Sequence, residues 1–314
     1  MPEWLVERGI GETRYARIKD ERIIEARILV DGIVPAGTEL TGKLKRSGFQ
    51  LFAEVEGEEY LLPDGADGIT DGAQLRFEVI RERTPGMETW KRPLGRLLDE
   101  TARLENPPSG REIAFPGAGN PPSQADWDEL IEEARSGIVR FEGGELRIFP
   151  TPAMTLIDVD GTLPPEQLAK SAAYAAGKTI LRLGIGGSIG IDFPTISGKA
   201  MRAAVDTAVD EMLPKPFERT SLNGFGFLQI VRPRRHGSLI ELALDRAPFE
   251  ARALLRRIAF EPPGRKRIVA HPAVVEAIQN QEGWLDLIAR QAGGAVSLRA
   301  DGAIPMSGGY AESV

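Results

Sequence analysis

The chain of 314 residues has no cysteine and only two histidines, His236 and His271. The absence of thiols excludes disulfide bonds, thiolate nucleophiles and Cys-based structural zinc sites, so no zinc is expected. Any bound metal must be held mainly by oxygen ligands, which favours Mg²⁺, or Mn²⁺ in its place. Candidate metal ligands are therefore carboxylates.

Long apolar runs are also missing. No segment reaches the roughly 18 apolar residues needed to cross a bilayer, and the opening MPEWLVERGI lacks the basic-then-apolar order of a secretory signal. Aromatic residues are only 6% of the chain, but 42% of residues are hydrophobic, which is enough for two or three cores. We therefore expect a cytoplasmic protein of several domains that makes no contact with membranes.

The formal net charge is −7, from 39 Lys and Arg against 46 Asp and Glu. Residues 230–267 run against this balance, with ten cations and four acids. Such a segment predicts either a surface that contacts phosphates or the solvated face of a helix. The composition alone does not decide between the two.

Local patterns divide the chain into several segments. Residues 13–82 read as short strands of a small barrel, separated by Gly, Pro and Asp turns. Residues 83–125 are rich in Pro and Gly and are interpreted as a linker or a reduced subdomain. Residues 126–246 alternate helices and strands, with SLIEL (238–242) assigned as a strand, and 247–314 are typical of a small α/β domain.

Two acids end apolar strands in the alternating segment. Asp158 follows TLI, and Asp192 follows SIGI after one crossover helix. A strand–helix–strand unit of this length can bring neighbouring strand ends together, so both carboxylates could hold one divalent cation. Asp160 points to the same face as Asp158, because side chains alternate along a strand. A metal held there would position a phosphodiester and lower the pKa of a bound water; the alternative is that both acids only cap turns.

The same run, DVDGT (158–162), matches the nucleophile motif of haloacid-dehalogenase-like phosphatases. In that interpretation Asp158 attacks phosphorus and Asp160 is the acid/base. That family also needs a later Lys and a further acidic pair at strand ends. The candidates here are Lys199 and the pair Asp206 and Asp210, which lie instead on the helix predicted near residues 197–212. The phosphatase is therefore the alternative prediction.

A third candidate is FGFLQIVRPRRHGSL (225–239), in which a predicted strand is followed by a cluster of arginines. Arg232, Arg234 and Arg235 could clamp phosphates, because a guanidinium binds phosphate oxygens in a bidentate fork. The alternative is an ordinary basic turn.

Taken in order, these segments resemble the ribonuclease E/G family of bacterial endoribonucleases. The residues that carry the resemblance are GKLKRSGFQLFAEVEGEEYLLP for the RNA-binding OB-fold, WDELIEEARSGIVRFEGGELRIFPTPAMTLIDVDG and GGSIGIDF for the two catalytic strands, FGFLQIVRPRR for a downstream Arg motif, and RKRIVAHPAVVEAI for the C-terminal domain. The resemblance implies an α+β, multidomain protein. Opening strands (1–30) would pack on the catalytic half, followed by an OB-fold β-barrel (31–82), a nuclease-I-like α/β catalytic domain (126–246) and a small C-terminal α/β domain (247–314).

The resemblance also implies a function, a metal-dependent endoribonuclease that cleaves single-stranded RNA to 5′-phosphate and 3′-hydroxyl ends. The implied site residues are catalytic Asp158, Asp192 and Asp160, metal-binding Asp158 and Asp192, and RNA-binding Arg232, Arg234, Arg235, Phe52 and Tyr60. For Phe52 and Tyr60, which would stack on bases, the alternative is ordinary barrel core.

The chain departs from the family in three respects. Residues 83–125 show nothing like the pocket that senses an RNA 5′-monophosphate. The cysteine pair that links family members through zinc is missing, so oligomers other than zinc-linked ones stay open. Asp160 stands where the family has Asn, and an ionised Asp cannot donate to a phosphate oxygen, so it either adds a metal ligand or weakens turnover. An RNA-binding protein without catalysis is thus a second alternative.

Overall fold

The computed structural model describes residues 3–86, 91–98, 104, 107–116 and 123–314. The strands before residue 117 are β1 (Glu3–Arg8), β2 (Glu12–Lys19), β3 (Arg22–Val30), β4 (Glu39–Ser47), β5 (Gln50–Val55), β6 (Glu58–Leu61), β7 (Gln74–Arg81), β8 (Leu94–Leu97) and β9 (Arg111–Ile113). The elements that follow are α1 (Ser123–Ser136), β10 (Ile138–Phe141), β11 (Gly144–Pro150), β12 (Thr155–Gly161), α2 (Pro165–Arg182), β13 (Gly187–Asp192), α3 (Lys199–Met212), β14 (Glu218–Arg219), β15 (Phe227–Arg232), α4 (Leu239–Leu244), α5 (Arg246–Ala259), β16 (Lys266–Ala270), α6 (Pro272–Gln279), α7 (Trp284–Ala292), β17 (Val296–Ala300), a 3₁₀ turn (Met306–Gly308) and β18 (Tyr310–Ser313). The architecture is mixed α/β, with several sheets.

The barrel is closed by five strands in the order β4-β5-β6-β8-β7. Its interior is filled by apolar side chains that alternate with outward-facing ones, among them Leu44, Tyr60 and Phe77. The closing strand β8 comes from the Pro- and Gly-rich segment that the sequence suggested as a linker, and β9 from the same segment pairs in parallel with β1. The barrel therefore extends past residue 82.

The sheet β3-β2-β1-β9 is joined to helix α5 by buried ion pairs. Glu12 accepts from Arg14 at 2.5 Å and from Arg252 at 3.2 Å, and Glu7 pairs with Arg256. A buried guanidinium needs such a partner, because its desolvation is costly. Part of the basic segment 230–267 is thus neither a phosphate surface nor a solvated helix face. Its arginines Arg252 and Arg256 lie on α5 and form buried ion pairs with the opening strands.

The central sheet has six strands in the order β10-β11-β12-β13-β15-β14. Strands β12 and β13 run parallel and are joined by α2, which begins at Pro165 and is followed by Gly184, as the Pro-start and Gly-stop pattern predicts. Inward-facing residues such as Ile157, Ile191 and Leu228 pack with the apolar sides of α1, α2 and α3 to form the largest core. The strands around Asp158 and Asp192 are thus held rigidly from one side.

The prediction of a strand at SLIEL was wrong, because residues 239–244 form helix α4. Ser238 accepts from the backbone N–H of Glu241, while the Glu241 side chain accepts from the backbone N–H of Ser238 at 2.8 Å. This capping box satisfies the first unpaired N–H groups and starts a helix whose Leu, Glu and Ala residues have high helix propensity. Tertiary packing of Leu239 and Leu242 in the largest core then stabilises it.

The C-terminal part packs α5, α6 and α7 around the three-stranded sheet β17-β16-β18. Its core includes Ile258, Ile268, Val274 and Ile288. Strand β18 adds antiparallel to β16 and was not foreseen from the sequence. Among the described residues, no helix is long and apolar enough to span a membrane.

Candidate active site

The sheet places the two strand-end aspartates side by side. Asp158 of β12 and Asp192 of β13 are partners in the parallel register, so their Cα atoms lie on adjacent strands about 4.8 Å apart. Paired residues of neighbouring strands project to the same face. The crossover through α2 therefore brings together two carboxylates that are 34 positions apart in the sequence.

Both aspartates lie on the face of the central sheet opposite the helices, here called the open face. Its side chains alternate with the core residues and include Arg147, Phe149, Leu156, Asp158, Asp160, Asp192, Phe227, Gln229 and Val231. Several apolar members are accessible, with Phe149 53% and Val231 51% exposed. Among the described elements, no helix of the largest core lies over this face, so a large ligand can approach the carboxylates.

Asp158 is half-buried and lies within the field of two other carboxylates. Burial, followed by the charges of Asp160 and Asp192, raises the pKa of Asp158 above its ordinary value, and the cation of Arg147 opposes that rise. Three like charges on one face make it a place where a cation binds favourably. The electrostatics thus favour a positively charged ligand or a bound metal ion.

Arg147 of β11 lies opposite Asp158 in the antiparallel register. Its guanidinium contacts Glu145 at 2.8 Å and Asp160 at 3.4 Å. The exposed Asp160 thus forms an ion pair with Arg147 and does not complete a ring of carboxylates with Asp158 and Asp192. Arg147 was not identified from the sequence, although the short turn of residues 151–154 between β11 and β12 fixes its register with Asp158.

The pair Asp158 and Asp192 suits a hard divalent cation. Mg²⁺ commonly takes one or two protein carboxylates and fills its other positions with water and substrate oxygens. Within the described ranges, no three His, Asp or Glu side chains group closely enough to surround a metal ion. The donor set thus fits a magnesium ion held by two carboxylates and still open to substrate.

An apolar floor lies next to the carboxylates. Gly190 has no side chain, and the ring of Phe227 and the methyl group of Leu156 occupy the space where a Cβ atom would be, at 2.5 Å and 3.1 Å from that position. Phe227 is the register partner of Asp192. A larger residue at position 190 would displace the aromatic ring from the site.

The loop between β14 and β15 presents a second aromatic side chain, that of Phe225, which is 87% exposed. The Asn223 side chain accepts from the backbone N–H groups of Phe225 and Phe227 at 2.9 Å and 3.0 Å, which fixes the turn. Gly226 has φ +91°, and the Phe193 carbonyl would lie 2.2 Å from a Cβ atom there, so only glycine fits. The loop therefore holds Phe225 at the Asp192 end of the sheet, a position the sequence reasoning missed.

The three arginines predicted to contact RNA lie elsewhere. Arg232 is the register partner of Gly187, five positions from the Phe227–Asp192 pair, so it is about 16 Å away along the sheet. Its side chain is on the helix-covered face, and Arg234 pairs with Glu241 at 2.6 Å. The structure does not bring Arg232, Arg234 or Arg235 together with the aspartates.

The two aromatic residues predicted to stack on bases are buried. Tyr60 is 2% exposed, packs on Phe77 with ring centroids 5.2 Å apart and donates its hydroxyl hydrogen to Glu58. Phe52 is 7% exposed. The Tyr60 ring presents no free face to a base, because the inward-facing positions of a small barrel are needed for its core. Phe52 alternates with the inward-facing Ala53 and is therefore buried on the outer side of β5.

The acids that the phosphatase interpretation would use form ion pairs elsewhere. Asp206 and Asp210 of α3 both contact Arg219, at 3.4 Å and 2.6 Å, and Asp206 also accepts from the backbone N–H of Leu222. They hold the loop that carries Phe225 rather than joining Asp158. Asp206 and Asp210 are therefore not placed to act as the second acidic pair that the covalent-nucleophile alternative needs.

Comparison with known proteins gives one distant relationship. The chain is 24% identical over 275 residues to ribonuclease G of Escherichia coli (strain K12) and of Shigella flexneri, and equally to that of Salmonella typhimurium (strain SL1344). The alignment covers 76% of this chain and 52% of each relative. The chain is thus distantly similar to ribonuclease G. It spans about half the length of the curated relatives it matches, and no family model matches it.

The ribonuclease G relationship confirms the predicted resemblance in its coarse form, a similarity to ribonuclease E/G proteins. Of the fold expected with it, the five-stranded barrel and the mixed α/β organisation are observed. The chemistry of the site needs arguments from its own residues, because an identity of 24% leaves most side chains different.

Proposed function

We propose that this protein is an endoribonuclease that cleaves single-stranded RNA to 5′-phosphate and 3′-hydroxyl ends with Mg²⁺ as cofactor. The observation that carries the proposal is the in-register pairing of Asp158 and Asp192 on an accessible sheet face. The similarity to ribonuclease G supports the substrate class. Asp158 and Asp192 are the proposed metal ligands.

When bound, the metal would supply Lewis-acid stabilisation of charge on the phosphate and a lowered pKa for a coordinated water. The protein residues supply the rest. Asp158 and Asp192 would hold the ion at the strand ends, and Arg147, the register partner of Asp158, would bind a phosphate oxygen on the β11 side. Asp160 pairs with Arg147 and sets how much of its charge is available to the substrate.

The apolar neighbours of the site define a path for the nucleotides. Phe225 is exposed beside Asp192, and Leu156 with Phe227 forms a flat apolar area next to it. Bases of single-stranded RNA stack on such side chains irrespective of sequence. We therefore place the RNA across the open face, with its backbone along the carboxylates and bases against Phe225 and Phe227.

The proposal is tested by incubating the full chain with a single-stranded RNA that has no internal base pairing, with and without Mg²⁺. Internal cleavage that needs Mg²⁺ or Mn²⁺ and yields 5′-phosphate ends is expected. Asp158→Asn and Asp192→Asn should each abolish it, because each removes a charged metal ligand. Glu142→Gln is the matched control, since Glu142 is an exposed acid in the β10–β11 turn of the same sheet.

Three results would contradict the proposal. Salt-sensitive RNA binding without cleavage would favour a binding protein. Hydrolysis of a small phosphomonoester with a trapped aspartyl-phosphate on Asp158 would favour the phosphatase. Cleavage that persists in both Asn variants would place the active site away from this pair.

A further inference from the structure

Two adjoining cavities lie at the opposite end of strands β13 and β15 from the aspartates. Their volumes are about 200 Å³ and 430 Å³, and both are lined by Glu25, Gly184, Arg235 and His236. The larger is within the roughly 300–1,000 Å³ range of small-molecule sites. They are on the helix-covered side of the sheet, about 16 Å along the strands from the Asp158–Asp192 pair.

The walls of the smaller cavity are rich in cations. Arg232, Arg234, Arg235 and Lys215 line it, against the single carboxylate of Glu25. Arg234 is neutralised by Glu241 at 2.6 Å, and Glu25 is shared with Arg17 at 3.4 Å. The lining therefore keeps an excess of positive charge.

Arg232 and Arg235 carry that excess. Arg232 is half-buried and donates to the carbonyl oxygen of Ile185 at 3.3 Å, and in the part of the chain that the structure describes no ion pair joins Arg232 or Arg235 to an acid. Burial lowers the pKa of Arg232, with Glu25 as the opposing charge. A desolvated guanidinium without a salt bridge is costly, and an oxyanion in the cavity would offset that cost.

The close approach of two chain segments fixes these arginines. The backbone of Pro233 and Arg234 would lie within 3.0 Å of a Cβ atom on Gly186, and Gly187 has φ +82°. Glycine is thus required at both positions for the segment after β15 to fold over the start of β13. The first glycines of GGSIG (186–190) lie at this end of strand β13, whereas Asp192 lies at the other end.

The second cavity adds an aromatic and a neutral polar wall. Trp4 and Ser109 line it together with Arg27, which is paired with Glu82. His236 borders both cavities, and burial, together with the cations of Arg27, Arg232 and Arg235, lowers the pKa of His236 to about 4. The imidazole is therefore uncharged at neutral pH and adds no charge of its own.

The geometry points to an oxyanion site in which Arg232 and Arg235 bind the phosphate group of a nucleotide-sized ligand whose base lies toward Trp4. The guanidinium fork matches a phosphate, and the concave shape suits a small phosphorylated molecule better than the middle of a polynucleotide. The phosphate could belong to a free mononucleotide or to an RNA strand. This inference does not depend on the proposed cleavage, because it uses neither aspartate.

The test is isothermal titration of the full chain with inorganic phosphate, adenosine monophosphate, adenosine and an oligoribonucleotide ending in a 5′-hydroxyl. Phosphate and the mononucleotide should bind, and adenosine should bind at least about tenfold more weakly, since it lacks the anion. Arg232→Gln and Arg235→Gln should each weaken mononucleotide binding about tenfold, as expected for the loss of a charged hydrogen bond. Arg265→Gln, an exposed arginine outside the cavities, should leave it unchanged.

The two histidines provide a second readout that does not need the variants to fold. In an NMR pH titration, phosphate should raise the pKa of His236, because the added anion favours the imidazolium. The ring signals of His271, whose Nδ1 accepts from the backbone N–H of Ala273 at the start of α6, should not respond to added phosphate. Both signals can be followed in one sample.

Three outcomes would overturn the inference. One is no binding of phosphate or mononucleotide, together with an unmoved His236. Another is binding that Asp158→Asn removes while both arginine variants keep it, which would place the anion at the aspartates. The third is binding of the oligoribonucleotide alone, weakened in Arg232→Gln and Arg235→Gln, which would make the arginines contacts to an RNA backbone. Loss of RNA cleavage with intact mononucleotide binding would contradict only the proposed nuclease.

Discussion

Arg147 and Asp158 lie opposite one another on the antiparallel strands β11 and β12, on the accessible face of the central sheet. The cation lowers the pKa of Asp158, while burial and the charges of Asp160 and Asp192 raise it. Arg147 therefore lowers the pH at which the proposed metal ligand becomes ionised, against the larger effect of burial. It also supplies the positive charge that is nearest to the aspartate pair on this side.

Replacing Arg147 should change the pH dependence of cleavage. In Arg147→Gln the pKa of Asp158 rises further, so ionisation, and with it metal binding, requires a higher pH. The acidic limb of the pH–rate profile should move to higher pH, and kcat/KM should fall at every pH through the lost phosphate contact. Arg140→Gln, on the neighbouring strand β10 and 4.0 Å from Glu145, is the control. An unshifted acidic limb would separate Arg147 from Asp158 in the reaction.

Asp160→Asn should increase turnover. The substitution removes one of the carboxylates that raise the pKa of Asp158, releases Arg147 from a contact of 3.4 Å and creates an N–H donor for a phosphate oxygen. Single-turnover cleavage at saturating Mg²⁺ measures the effect, and we expect a several-fold gain. A loss of activity together with a weaker Mg²⁺ dependence would instead make Asp160 a metal ligand.

The local pattern was enough to find the aspartate pair. One crossover helix between two apolar strands determines that neighbouring strand ends meet, and the parallel register of Asp158 with Asp192 is the geometric form of that spacing. Most of the barrel could also be predicted, because apolar and polar residues alternate along its strands and turns separate them. These features depend on contacts close in sequence or on a single crossover.

The path of the substrate was harder to predict, because it depends on which end and which face of a strand a residue occupies. Arg232 and Phe227 belong to one strand, yet Arg232 lies at the end far from Asp192, and the alternation of side chains along the strand turns it to the covered face. Phe225 was passed over since its exposure comes from a loop fixed by Asn223 and Gly226. Tyr60 illustrates the reverse case, an aromatic residue at a plausible RNA-binding position that the barrel core requires.

The stability of the chain should depend on Glu12. This buried carboxylate accepts from Arg14 and Arg252, so Glu12→Gln leaves two buried guanidiniums with a reduced counter-charge. We expect a loss of about 3–5 kcal/mol in the free energy of unfolding, as for one broken member of a buried ion pair. Urea denaturation followed by circular dichroism measures it. Glu112→Gln, which removes the exposed partner of Arg8, should change little; similar losses in both variants would contradict the structural role of Glu12.

Phe225 provides a test of the RNA path that does not rely on catalysis. Its ring is 87% exposed beside the strand that carries Asp192, so Phe225→Ala removes a stacking surface without opening the core. The affinity for single-stranded RNA should fall by about 1–3 kcal/mol, as for the loss of one stacked base. Fluorescence anisotropy with a labelled oligoribonucleotide, in the presence of Ca²⁺ instead of Mg²⁺, measures the change. Phe225→Trp should retain the affinity, and Tyr310→Ala, an exposed aromatic of the C-terminal sheet, should have no effect. Equal affinities for the wild-type chain and Phe225→Ala would show that the RNA does not cross the open face at this loop.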